Sequence, residues 1–289
     1  MRTTMQLVGL AFSCVLPFYC SGKKTVPDFS AIALVFYLGA IWGSFANMLI
    51  VRVPSGENIV LPSSHCDHCS EKLKWYHNIP IFSCLLLRAK CAYCKKSFGW
   101  RHLIVEILMG FCFLGVFWYY GYSWTSLEYL ILVVGLVTVS MIDLDLRIIP
   151  DKISLPGILI GLAGAAINPE RAFLDSVLGV LLGGGVLLAI AYLYFALKKV
   201  DGMGGGDIKL LAWIGSVLGA KSILFILFFS SVVGSCVGIF FMVFRKEGLK
   251  SSLAFGPYLA LAALVYLFWG PEIIKWYFAF SFPWLTPSM

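Results

Sequence analysis

Eight apolar runs set the terms for this chain, at residues 30–51, 103–121, 126–144, 153–169, 174–197, 207–219, 222–244 and 253–270. A helix needs about 20 apolar residues to cross the ~30 Å hydrocarbon core of a bilayer, and most of these runs approach that length. Only 13% of the residues are charged, with a mean hydropathy of +0.89, against about 25% charged in an ordinary soluble domain. A water-soluble fold of 289 residues cannot hide so much apolar surface. The runs lack strict alternation, which excludes a membrane barrel. The expected fold is therefore an all-α polytopic membrane protein with about eight transmembrane helices. The run at 207–219 is short for a span, so it either starts deeper, tilts little or is broken near the preceding glycines.

Residues 1–29, MRTTMQLVGLAFSCVLPFYCSGKK at their head, carry a shorter apolar core that reads either as an extra hydrophobic helix or as a signal-like leader. The body divides into a first main helix at 30–51, a loop domain at 52–102 and a helical bundle at 103–289. Loops on the side of 52–102 hold sixteen Lys and Arg, whereas the other side holds Arg171, Lys221 and Lys275, with Lys23 and Lys24 before the first main span. The positive-inside rule places the richer side in the cytoplasm.

That orientation brings two carboxylates to one depth. SMIDLDLRIIPD ends the third run and GMGGGDIK opens the sixth, so Asp143 and Asp207 meet the same face from different helices. Charge at membrane depth is expensive and marks a proton path, an ion site or catalysis; the plainer reading is that Asp143 ends a helix and Asp207 caps the next. Two carboxylates in close approach cannot both ionise, so one keeps a proton while the other is a base. Such a pair can polarise a peptide carbonyl and activate water. Gly204, Gly205 and Gly206 leave the backbone beside Asp207 thin enough for an extended substrate. Asp145 is turned about 200° from Asp143 along a helix, and spacing favours Asp143 over it only slightly. Pro150 ends the helix and leaves Asp151 as a solvated cap. A proton-coupled transporter would also use paired carboxylates, but the two lie near one face and no repeated halves are visible.

The 52–102 loop carries CDHC and CAYC, which set Cys66, Cys69, Cys91 and Cys94 as two C-x2-C knuckles. That pattern points to a tetrahedral Zn2+ held by four thiolates, closed to solvent and structural in role. His65 and His68 are alternative ligands in the same stretch. His77 and His102 fall near membrane edges, and Cys14, Cys20, Cys84, Cys112 and Cys236 show no ligand spacing. Gly43, Ser44 and Asn47 share a helix, where they suit close packing and a polar contact inside the bundle. The loop holds eight basic and three acidic side chains; anionic lipid headgroups suit such a surface, and no nucleic-acid partner is expected.

In order along the chain, GSFANMLIVRVP, the four-cysteine stretch HCDHC to KLKWYHNIPIFSCLLLRAKCAYC, MIDLDLRIIPD and GMGGGDIKL resemble the motifs of the type IV prepilin peptidases. These are bifunctional leader peptidases and N-methyltransferases of the bacterial inner membrane. The likeness runs from about Gly43 to Gly256. It implies that Asp143, seven residues before Pro150, and Asp207 are the catalytic pair, which decides against Asp145. It implies cleavage after the glycine of a basic leader on type IV prepilins or type II secretion pseudopilins, at the cytoplasmic face. N-methylation of the new terminus from S-adenosylmethionine follows, with the four-cysteine domain tied to that half. The chain departs from the family's usual pattern at Ala89 and in SFGWRHLIVE, where Arg101, Val105 and Glu106 are kept. No fingerprint for the methyl donor is visible.

Overall fold

A computed structural model describes residues 29–58, 66, 69–97, 99–200, 204–245 and 254–281. The segment 1–28, His65 and His68 lie outside the described residues. Among those described, the secondary structure is helical, with one isolated antiparallel bridge between Lys90 and Ser97. The helices are α1 (Phe29–Ser55), α2 (Phe82–Leu86), α3 (Arg101–Tyr120), α4 (Trp124–Leu146), α5 (Asp151–Ile167), α6 (Phe173–Lys198), α7 (Gly205–Leu218), α8 (Ala220–Arg245) and α9 (Gly256–Ser281), with a 3-10 turn at Trp75–Asn78. Each of the eight apolar runs is a helix. Six, namely α1, α3, α4, α6, α8 and α9, are long and apolar enough to cross a bilayer, and the chain is a multi-pass membrane protein. The last run is longer than its apolar stretch implies, because α9 continues through Pro271.

The chain forms two compact units. One takes α1 through Phe45 together with the stretch that ends at Leu130. Here α1 and α3 touch backbone to backbone. A Cβ on Gly39 would lie 2.7 Å from the Met109 carbonyl oxygen, and one on Gly43 would lie 2.6 Å from the Glu106 Cα. Phe36 covers Gly110 and meets Phe111 edge-on at 5.3 Å. Small residues permit this approach where lipid offers no hydrophobic drive for helix association. Gly43 therefore has a packing role, and Ser44 beside it lies near Glu106.

The second unit takes Ala46–Leu61 and Ile131 onward. Its centre is α7, of 14 residues. At 1.5 Å per residue it is about 21 Å long, too short to span. Protein rather than lipid surrounds it, for every residue from Leu210 to Val217 is buried. Gly135 and Gly157 seat the Trp213 ring, and Gly179 lies against Gly215.

A helix that stops inside a membrane protein leaves carbonyl and N–H groups that water cannot reach. At the far end of α7, the Arg171 guanidinium donates to the Ser216 carbonyl at 2.6 Å and to the Ser176 hydroxyl at 2.8 Å. Asp175 accepts the Ala220 N–H at 3.3 Å and thereby caps α8. Gly219, at φ +81°, makes the reversal between the two helices, and its N–H returns to the Gly215 carbonyl at 2.9 Å. Replacing Arg171 with Leu strips the Ser216 carbonyl of its partner. Thermal unfolding in detergent should show a loss of about 1–3 kcal/mol; an unchanged midpoint would mean that α7 does not need this cap.

Candidate active site

The end of α4 begins the site. Arg147 adopts a left-handed conformation at φ +56° and returns its N–H to the Asp143 carbonyl at 2.9 Å, which stops the helix at Leu146. The chain then runs through Ile148 and Ile149 to Pro150, whose extended backbone precedes α5. Asp143 points inward at 5% exposure, while Asp145, two residues on, faces out.

Asp143 is tied to a third element. Its Oδ2 accepts the backbone N–H of Gly256, the first residue of α9, at 2.9 Å in a buried setting. Free N–H groups and the helix dipole favour a carboxylate at a helix N-terminus. Here the carboxylate comes from a different helix. Gly256 must be glycine for this contact, since a Cβ would stand 2.7 Å from Asp143 Oδ2 and 3.2 Å from Ile149 Cδ1.

Asp207 lies in the first turn of α7, after the extended Gly204, and its N–H donates to the Gly204 carbonyl at 3.2 Å. It is close enough to Asp143 for the charge of one carboxyl to act on the other. Ile149 wedges between the starts of two helices, because a Cβ on Gly206 would lie 2.7 Å from the Ile149 Cβ. Gly206 thus has a packing reason to be small. Gly204 and Gly205 are exposed, and the space beside Gly205 is open. Asp151 is also exposed and receives both of its contacts from Lys209, at 2.7 and 2.8 Å. This ion pair links the first turn of α5 to the second turn of α7, and its exposure limits its worth.

Gly256 and Ile149 carry no titratable chemistry, and sequence reasoning gave neither a role. The available signals were the Gly-Pro pair at the head of the last apolar run, a usual helix start, and the Ile-Ile-Pro stretch.

In the other unit, the four sulfurs of Cys66, Cys69, Cys91 and Cys94 all lie within 4.8 Å of one another, with Cys66 and Cys94 at 3.8 Å. A tetrahedron of thiolates at the usual Zn–S length of about 2.3 Å has edges of about 3.8 Å, so the cluster fits zinc. The two knuckles share a backbone design. Cys66 donates to the Glu71 carbonyl and receives Ser70, while Cys91 donates to Lys96 and receives Lys95. Ser70 and Lys95 are both left-handed, at φ +56° and +59°. The N–H groups of Cys94 and Tyr93 bring the Cys91 thiol down to about 6, and the Tyr93 contact is 3.4 Å.

Comparison with known proteins bears on both units. Residues 37–120 match the bacterial peptidase A24 N-terminal domain, and residues 130–239 match the type IV leader peptidase family. The chain belongs to the type IV leader peptidase family. Similar curated proteins are named prepilin leader peptidase/N-methyltransferase. That of Stutzerimonas stutzeri is 34% identical, over 84% of this chain and 92% of its own length. That of Xanthomonas campestris is 33% identical over 84% and 93%, and that of Pseudomonas aeruginosa 31% over 84% and 92%. No solved structure matches. The family is a family of proteases, so the chain is an enzyme. The first matched domain contains all four cysteines, and the second contains both aspartates.

Changing Cys66 or Cys94 to Ser removes a corner of the sulfur tetrahedron. Elemental mass spectrometry of the purified protein should then show a fall from one zinc per chain towards none, and full zinc content in both variants would refute four-sulfur ligation.

Proposed function

We propose that the chain is a prepilin leader peptidase and N-methyltransferase whose peptidase half is an aspartic endopeptidase. The observation that carries this reading is Asp143, buried against the N-terminus of α9 and within electrostatic reach of Asp207 from α7. The substrates are type IV prepilins or type II secretion pseudopilins, cut after the glycine of a basic leader. The setting is the bacterial inner membrane, with the active site and the four-cysteine domain of residues 52–102 on the cytoplasmic side. The excess of Lys and Arg in the loops of that side supports this placement.

In this mechanism the pair holds one proton. The protonated carboxyl donates to the scissile carbonyl, and the ionised one takes a proton from water as its oxygen attacks the carbonyl carbon. The tetrahedral species collapses as the C–N bond breaks, and the leaving amine receives a proton from the dyad. No covalent enzyme intermediate forms. The Gly256 N–H engages Oδ2 of Asp143 and thereby orients that carboxyl. Gly204 and Gly205, exposed at the mouth of α7, give an unwound substrate backbone room to lie beside Asp207, while Gly206 sets the close approach of α7 to Ile149.

S-adenosylmethionine would supply the methyl group for the amine that cleavage releases. The zinc centre has no open position when four thiolates hold it, so its role is to staple a loop domain that lacks a large core.

Co-expression with a candidate prepilin, followed by mass spectrometry of the pilin N-terminus, tests the reading. Wild type should remove the leader, and an added methyl group should appear on the product. Asp143→Asn and Asp207→Asn should each lower cleavage by at least about 10²- to 10⁴-fold while the protein still inserts. Full cleavage by both variants would remove the dyad from the chemistry.

A further inference from the structure

The loop between α1 and α3 contains a segment whose surroundings do not suit water. After the 3-10 turn, Pro80, Ile81 and Phe82 form a tight reversal in which Ile81 adopts φ +65° and ψ −56°, and the Phe82 N–H returns to the Pro80 carbonyl at 2.7 Å. These are the angles and the hydrogen bond of a γ-turn of the rarer, strained hand. A β-branched residue at positive φ persists only where its surroundings hold it. What holds Ile81 is Glu106, whose Oε2 accepts the Ile81 N–H at 2.7 Å. Glu106 is buried and belongs to α3, one of the spans.

Depth follows from that partner. With 20 residues, α3 is about 30 Å long, the thickness of the hydrocarbon core. Glu106 stands about 7 Å along it from Arg101. Phe82 approaches Tyr37 of α1, with ring centroids 6.4 Å apart. Phe36, next to Tyr37, covers Gly110, which is about 13 Å along α3. The turn and the short α2 therefore lie beside the spans, below the level at which α3 enters.

The two faces of this segment differ. The inner face of α2 packs Cys84 with Ala89 and Leu103, and Ile81 and Ile107 join them. The outer face presents Phe82, Leu85 and Leu86 at 59%, 51% and 83% exposure. Ile104 and Phe111 are likewise exposed along α3. Irregular backbone survives at membrane depth only if its polar groups are satisfied within the protein. Hydrogen bonds within the protein go far towards meeting that condition. Ile81 donates to Glu106, Phe82 to Pro80, Ser83 to Ile79, Leu85 to Ile81, Leu87 to Ser83 and Ala89 to Cys84. Pro80 has no N–H to satisfy, and the Ser83 hydroxyl returns to Ile79 at 2.6 Å. Arg88, Lys90 and Arg101, with the exposed Trp100, follow the segment in sequence and supply interfacial anchors on that side.

We propose that Pro80–Leu87 is a re-entrant segment inserted in the bilayer, with Phe82, Leu85 and Leu86 in contact with lipid acyl chains and Arg88, Lys90 and Arg101 at the headgroups. The first cysteine of the second knuckle, Cys91, follows within a few residues. The metal site is thus held at the membrane surface by an inserted hook rather than carried on a free loop.

The test is photolabelling of the full chain in vesicles of phosphatidylethanolamine and phosphatidylglycerol doped with a phospholipid bearing a diazirine in mid-acyl chain. Adducts are mapped by peptide mass spectrometry. Adducts within Phe82–Leu86 of the same order as those on Ile104 and Phe111 are expected, and Glu106→Ala should lose the former while keeping the latter. Wild-type adducts on Ile104 and Phe111 with none on Phe82–Leu86 would overturn the proposal and assign that face to water or to another protein surface.

Discussion

Hydrocarbon neither donates nor accepts hydrogen bonds, so each break in a helix within this protein needs a named partner for its backbone. The structure meets that demand at three places with a side chain from another element. Arg171 takes the Ser216 carbonyl near the end of α7, Glu106 takes the N–H of a strained turn, and Asp143 takes the first N–H of α9. Two of these serve the architecture. The third puts a carboxylate at a helix start where it is held within electrostatic reach of a second carboxylate, and the proposed catalytic site grows from that arrangement.

The same constraint explains the short α7. A full-length span would carry Asp207 to the water on one side and run unbroken to the other. A helix of 14 residues, enclosed by its neighbours, sets its first turn where α4 and α9 also terminate. Ile149 closes this junction against Gly206 and Gly256. Three helix ends converge, and each contributes something different: Asp143 from α4, Asp207 from α7 and a backbone donor from α9.

Much of this was legible from residue types. Apolar runs locate all eight long elements to within a few residues, apart from the continuation of α9 past Pro271, because lipid imposes length and hydropathy directly. The cysteine spacing likewise implies its cluster, since two C-x2-C knuckles have few other ways to satisfy a tetrahedral ion. The contribution of Gly256 was not legible, because a backbone N–H leaves no mark in the sequence and its partner is remote. The γ-turn at Ile81 was hidden for a related reason. Isoleucine is a poor residue for positive φ, and only Glu106, from a helix further along the chain, makes that conformation tenable. Arg171 counts in the sequence only as a charge in a loop, and nothing there joins it or Asp175 to the end of α7.

The central claim is that Asp143 and Asp207 act as one proton-sharing unit. A kinetic double-mutant cycle on leader cleavage, with Asp143→Asn, Asp207→Asn and the two combined, addresses it most directly. Groups that act as a unit are grossly non-additive. The account predicts that the double variant is no slower than either single one. Losses that multiply across the two sites would show two independent contributions and contradict a shared-proton dyad.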